Sequence, residues 1–198
     1  NSELNMRVRE LTTIFSIGKA VTTVIDQAAL FEKILDGALS VAHGDLGWFL
    51  LRDESSKAFL LVAQRHLPPS LASQANQPLD DGISSLVAMS GEPLAIFGEP
   101  LRRFRVSTLG QSALIVPIKV QKQVIGLLVV LRKQPTPFSA SDQHLLEAVA
   151  DYASISLVNA RLFRAVEERA RSLQVRAEGA QNAEKIDREV LEVVQREI

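Results

Sequence analysis

The stretch that decides the fold is Val124-Ile125-Gly126-Leu127-Leu128-Val129-Val130-Leu131, followed five residues later by Pro137-Phe138-Ser139-Ala140-Ser141-Asp142. A short apolar run, rich in branched residues and bounded by polar ones, reads as a strand buried on both faces. The second stretch reads as a helix start. The Ser139 hydroxyl can accept from the Asp142 amide, while the Asp142 carboxylate reaches back to the Ser139 amide, a capping-box variant. An acid in the first turn also complements the helix dipole. No proline follows through Ile198, so one helix can run from there to the end.

Working outward, residues 112–120 supply a second apolar strand, joined to the first by a turn at Gln121-Lys122-Gln123. Upstream, residues 47–52 and 58–65 are short apolar runs around Asp53-Glu54-Ser55-Ser56-Lys57, a hairpin signal that Pro68-Pro69 closes. Residues 83–90 read as a short helix with Asp81 as its cap, stopped by Gly91 and Pro93. Asp26 is the expected cap of an earlier helix whose apolar face is Leu30, Ile34, Leu35 and Leu39, and His43-Gly44 ends it. Residues 1–25 predict another helix: Leu4, Val8, Leu11 and Phe15 recur at helical spacing, with Ile14, Ile17 and Val21 widening the stripe.

Charge divides the chain. Residues 161–198 hold 8 basic and 8 acidic side chains, against 14 and 15 in the remaining 160. In that tail, alternating steps of three and four from Phe163 reach Val166, Ala170, Leu173, Ala177, Ala180, Glu184, Asp187, Leu191, Val194 and Ile198. Such an apolar seam with charged flanks predicts a coiled coil, which needs a partner helix. Glu184 and Asp187 interrupt the seam, and Gly179 costs roughly 1 kcal/mol relative to Ala, marking a weak or switchable stretch. The chain starts at Asn1 and both ends fall within helical patterns, so a piece of a longer protein is expected.

Composition excludes several chemistries. The 198 residues are 46% hydrophobic and 23% charged with a formal charge of −1, as expected of a globular fold without a field to attract nucleic acid or an anionic membrane. The apolar run at 124–131 is far short of the ~20 residues that span a bilayer. With no secretory segment, the cytoplasm is the expected compartment. Cysteine is absent, which removes disulfides, thiolate metal sites and a cysteine nucleophile.

Catalytic patterns are missing too: no phosphate-binding glycine loop, no H-E-x-x-H and no G-x-S-x-G. His43, His66 and His144 have no metal spacing among them. Asp80-Asp81 could hold a cation, but Asp81 is already needed as a helix cap. Arg102-Arg103-Phe104-Arg105 is either a solvated loop or an anion contact, since arginine offers a donor fork to phosphate or carboxylate. Trp48, Leu50 and Arg52 share one face of their strand, opposite Gly47, Phe49 and Leu51. Trp48 reads as core or as a pocket wall. An arginine on its face implies that the face meets solvent or a partly polar cavity.

Taken together, these blocks resemble a GAF domain. The family's closing motif resembles Val124-Ile125-Gly126-Leu127-Leu128-Val129-Val130 with Pro137-Phe138-Ser139, Asp142 and Leu145-Leu146, then Ala150, Ala153 and Asn159-Ala160-Arg161-Leu162-Phe163. Upstream, Gly82-Ile83, Val87-Ala88, Ser90-Gly91-Glu92-Pro93-Leu94 and Ser112-x-Leu114-x-Val116-Pro117-Ile118 follow in family order, over about residues 10–165. The resemblance implies an α+β, PAS-related architecture: a central antiparallel sheet of five or six strands with helices on both sides and long terminal helices in a dimeric bundle or coiled coil.

It also implies a sensory or regulatory role, without catalysis, in a signalling chain such as a two-component protein. Residues 1–25 would join a dimer bundle, 26–163 form the sensor domain and 164–198 the signalling helix. Leu4, Val8, Leu11, Phe163, Val166, Ala170, Leu173 and Ala177 would make the homodimer contact. The expected ligand residues are Trp48, Leu86, Phe97, Phe104 and Ser112, with Arg102, Arg103 or Arg105 on an anion. The output would be a kinase, cyclase, phosphatase or transcriptional domain. Without cysteine, covalent bilin attachment is excluded, and no cofactor is evident. The rival reading is a ligand-free dimerisation module whose pocket is filled by Trp48, Phe97 and Phe104.

Overall fold

A computed structural model of the protein describes residues 27–196, and the side chains of residues 27–179. The expected helix over 1–25, with Leu4, Val8 and Leu11, and the Asp26 cap lie outside the described residues. Within them the order is α1 (Gln27–Ala42), β1 (Leu46–Arg52), β2 (Phe59–Arg65), α2 (Pro69–Ala72), α3 (Ser84–Ser90), β3 (Leu94–Phe97), β4 (Ser112–Val120), β5 (Gln123–Arg132) and α4 (Ala140–Arg196). The strands form one antiparallel sheet in the order β2-β1-β5-β4-β3. Five strands, helices and a long C-terminal helix match the expected class.

β5 is central and buried from Val124 to Leu131, which is why its sequence lacks alternation. Its hairpin with β4 differs from expectation. Gln123 pairs with Val120, leaving a two-residue turn at Gln121 and Lys122 with φ of 48° and 69°. Positive φ at both positions is what a right-twisted hairpin needs, and here two residues other than glycine supply it. The β1–β2 turn is locked instead by Asp53, whose carboxylate accepts from the Ser55 hydroxyl and from the Ser56 amide and hydroxyl. Those bonds, the Ser55 hydroxyl first, hold its carboxyl down at about 2.

The two sheet faces are covered differently. On one, α1 buries Leu30, Phe31, Ile34, Leu35, Ala38 and Ala42, and the Phe31 and Phe49 rings meet edge to face at 5.2 Å. Leu39 is half-buried instead of fully buried, yet it still packs beside Gly44 and Gly47. At the end of α1, His43 takes the left-handed position at φ 48° and the Gly44 amide donates to the Leu39 carbonyl. Gly44 is required by space: a Cβ there would lie 2.2 Å from Val130.

On the other face, Leu46, Trp48 and Leu50 of β1 pack with Leu61, Ala113, Ile115, Leu127, Val129 and Leu131 under a cover of loops and α3, through Leu67, Ile83, Val87, Leu101 and Val106. β3, for which no strand signal was read, closes the sheet edge by alternation: Leu94 and Ile96 pack against this second core, while Ala95 and Phe97 are exposed.

The chain divides into two units at Ile155/Ser156. The first ends with the opening turns of α4, which bury Leu146, Ala150 and Ala153. The second, by itself, is the rest of α4, a single helix carrying exposed Leu162, Val166, Leu173 and Val175. Among the described residues no helix is long and apolar enough to cross a membrane.

Candidate functional site

The loop-covered face of the sheet is the candidate site, and β1 supplies its polar groups. Period-two alternation puts Trp48, Leu50 and Arg52 on it, with Phe59 of β2 opposite Arg52 and Gln64 opposite Trp48. Trp48 is fully buried. Among the described residues, the buried side-chain nitrogens and oxygens without a hydrogen-bond partner are Trp48 Nε1 and Arg52 Nε. Both are donors, and leaving a buried donor unsatisfied costs about 1–3 kcal/mol. By contrast Gln64 is occupied, its Oε1 accepting from the Leu67 amide at 3.2 Å.

The rim is built by two short segments that meet. The N-cap position of α3 is Ile83, with no side-chain cap of its own, instead of Asp81; Asp81 holds the helix start from two residues upstream, its Oδ1 accepting from the amides of Ile83 and Ser84 at 3.0 and 2.8 Å and its Oδ2 from the Ser84 hydroxyl. The Asp81 carbonyl also accepts from the Val106 amide. Asp80 accepts from the Gly82 amide and from Arg105 Nη1 at 2.8 Å. Gly82, at φ 79°, lets the chain turn there beside the Arg105 backbone. The aspartate pair therefore fixes α3 and the arginine turn.

The arginine-rich segment forms two 3-10 turns, Glu99–Arg103 and Arg105–Thr108. Arg102 pairs with Glu99 at 2.8 Å and Arg105 with Asp80, all four side chains largely exposed. Arg103 is exposed as well. Of the expected ligand residues, Trp48 belongs to the loop-side core and Phe104 packs against it. Leu86 and Phe97 are about half exposed, at 46% and 49%. Ser112 is fully buried, faces away from the Ala113 and Ile115 side chains, and donates to the Gln134 carbonyl. Ser112 and Phe97 pair across β4 and β3. Trp48 and Phe104 thus come together, while Leu86, Phe97 and Ser112 lie elsewhere. The sequence marks Arg52 by its face alone; the fold reveals its unsatisfied Nε.

No cluster of three potential metal ligands occurs among the described residues. The three histidines are separated: His43 ends α1, His66 Nδ1 lies 2.8 Å from the Asp45 carbonyl, and His144 is exposed early in α4.

A second arrangement connects this face to the helices. Leu127, Val129 and Leu131 of β5 line the loop-side core, and the next residue, Arg132, is the last of the strand. Its guanidinium donates to the carbonyls of Ala42, His43 and Pro137 and to Asp142 Oδ2, and it lies 4.1 Å from the Phe138 ring centroid. One side chain therefore joins the end of α1, the end of β5 and the start of α4. Asp142 completes the expected cap: its Oδ2 accepts from the Ser139 amide at 2.8 Å and from the Ser139 hydroxyl, which accepts in turn from the Asp142 amide. Burial pushes the Asp142 carboxyl up, but the Ser139 and Arg132 bonds outweigh it and hold it below its usual value. Further along, the Ser154 hydroxyl donates to the Lys119 carbonyl at 2.7 Å, fixing α4 to the β4–β5 hairpin.

The model of the GAF domain family matches residues 25–158. Among solved structures, the GAF domain from Acinetobacter phosphoenolpyruvate-protein phosphotransferase is 21% identical, covers 78% of this chain and 95% of its own, and superposes with a TM-score of 0.58. The GAF domain of a phosphoenolpyruvate-protein phosphotransferase from Coxiella burnetii gives 0.61 at 17% identity, with 78% and 96% covered. The second GAF domain of DevS from Mycobacterium smegmatis gives 0.58 at 18%, with 70% and 98% covered. At such identities the likeness is one of fold. No curated protein sequence matches the chain.

Proposed function

The chain belongs to the GAF domain family, sensory and regulatory domains of signalling proteins that are generally not catalytic, and from that premise we propose that it is a ligand-responsive sensor in the cytoplasm. A small molecule on the loop-side face shifts β5, and α4 carries the change to an effector domain such as a kinase, cyclase, phosphatase or transcriptional module. Homodimer contact through the terminal helices, with Phe163, Val166, Ala170, Leu173 and Ala177 on the seam, sets the reference state. Without cysteine, a bilin cannot be attached to this chain through a thioether.

The observation that carries this reading is Arg132. It ends the strand whose side chains line the loop-side core, and it holds the first turn of α4. A ligand can shift an equilibrium only by its differential affinity for two states. A strand whose displacement moves a helix anchor supplies two such states. Thermal-shift screening against nucleotides, amino acids and tetrapyrroles tests the sensor: a ligand-specific rise in melting temperature supports it. Sedimentation at micromolar concentration tests the dimer. A monomer, unchanged by removal of residues 164–198, contradicts it.

A second reading, a ligand-free dimerisation module, is favoured by the apolar filling of the loop-side core, where Trp48, Leu50, Ile115 and Leu127 are fully buried. It predicts no thermal response to any small molecule.

A further inference from the structure

We infer that α4 pairs in parallel and in register with α4 of a second copy of this chain, along a seam that starts at Leu145, and that Asn159 fixes the register. This rests on the dimer reading and deepens it: the contact begins within the first unit, and Leu162 takes the place of Phe163 on it. Among the described residues, six of the ten exposed large apolar side chains are Leu145, Tyr152 and Ile155 in the first unit and Leu162, Val166 and Leu173 in the second. Leu145, Tyr152, Asn159, Val166 and Leu173 recur every seventh residue, and Ala148, Ile155 and Leu162 each stand three positions after one of them. Those are the a and d positions of a heptad, the knobs of a coiled coil. The residues that α4 buries in its opening turns, Leu146, Ala150 and Ala153, fall at b and f, the outer positions, so the two faces do not compete. Simple heptads would next put Arg169 and Arg176 in the seam. One extra step of four, from Val166 to Ala170, passes both by and continues through Leu173 and Ala177. Steps of three, four and four from Asn159 to Ala170 make an 11-residue repeat, which unwinds a left-handed supercoil locally without breaking it.

The flanks and Asn159 identify the partner. Positions 149, 151, 156, 158, 163 and 165, beside the seam, carry one charge among them, Asp151. Charges at such positions select a different helix as partner; without them, the apolar seam is matched by its own copy. Asn159 is exposed on the helix. A single asparagine at an a position meets its counterpart in a parallel, in-register pair, where each amide donates to and accepts from the other, at a cost in stability. An antiparallel pair would set that amide opposite an apolar d residue, unpartnered.

The chain has no cysteine, so single-cysteine variants of the full chain report contact without background. Leu145→Cys and Leu173→Cys are oxidised with diamide and resolved without reductant. Each should form a disulfide with its own counterpart at least about tenfold faster than Glu147→Cys, on the outer face, because only facing residues come within the ~7 Å Cα limit of a disulfide. An antiparallel pair crossing at Asn159 would instead hold the two copies of position 145 about 42 Å apart at 1.5 Å per residue, and would join Leu145→Cys to Leu173→Cys. Asn159→Val should tighten the dimer about tenfold in sedimentation and admit cross-links of both senses. No cross-link at Leu145→Cys, equal cross-linking at Glu147→Cys, a cross-link between the two leucine variants while Asn159 is kept, or a weaker dimer in Asn159→Val overturns this seam while the dimer reading stands. A chain that sediments as a monomer at micromolar concentration overturns both.

Discussion

The two faces of one sheet are both closed over by apolar residues, yet they are finished differently. On the helix side, Phe49 meets Phe31, the backbone of β1 passes so near β5 that a Cβ on Gly47 would lie 2.5 Å from the Val129 carbonyl, and Arg132 and Asp142 have partners. On the loop side, the same strand carries the two donors left without acceptors. Neighbouring residues of β1, Phe49 and Trp48, are equally buried but not equally satisfied. The difference lies in the polar groups: among the described residues the helix side leaves no buried side-chain nitrogen or oxygen unpaired, and the loop side leaves two.

That contrast can be broken by substitution, the largest effect first. Phe49→Ala should cost about 4 kcal/mol, because a fully buried aromatic leaves a cavity between α1 and the sheet; denaturant unfolding reads it. Trp48→Phe should cost less than about 1.5 kcal/mol, since the lost volume is small and an unsatisfied N–H disappears with it. Equal losses would erase the distinction between the faces. Arg132→Ala should cost about 3 kcal/mol, because it removes the countercharge and one of the donors of the Asp142 carboxylate together with a donor to three carbonyls, and hydrogen exchange in residues 140–155 should rise most.

Asp81→Ala should remove about 1–2 kcal/mol as the Ile83 and Ser84 amides at the start of α3 lose their acceptor, loosening the loop-side cover while α1 keeps its exchange protection. Arg102→Ala should change stability by less than about 0.5 kcal/mol, because its pair with Glu99 is exposed.

Acid sharpens the same comparison. The Asp142 carboxyl is depressed below 3.8 in the folded chain. Its contribution is therefore fully present above that value and is lost as pH falls through the folded one. Thermal unfolding followed from about pH 5 to about pH 2 should steepen in that window, and Asp142→Asn should flatten the curve. Asp53 is depressed too, so Asp53→Asn separates the turn from the helix anchor.

Features set by local contacts could be read in the sequence. The strands β4 and β5 and the Ser139–Asp142 box depend on neighbours a few positions apart and form from the residues that predicted them, with the turn between the strands one residue shorter and the cap position of α3 at Ile83 instead of Asp81. Alternation also placed Trp48 and Arg52 on one face. What escaped depends on distant partners. Arg132 reaches Ala42 across 90 positions, so no local pattern marks it. β3 has four residues and one sheet neighbour, too short for a period to stand out. The arginine cluster attracted notice as a local run of charge, but its salt-bridge partners, Glu99 and Asp80, are conspicuous only after folding.

The most direct test of the coupling between sheet and helix is hydrogen exchange across residues 140–155, with and without a saturating small molecule that the thermal-shift screen identifies, in the unaltered chain and in Arg132→Met. The predicted result is a ligand-dependent change in exchange in the first turns of α4 that vanishes in the variant while binding persists. The same change in both proteins, or binding with no change in α4 in either, would contradict it.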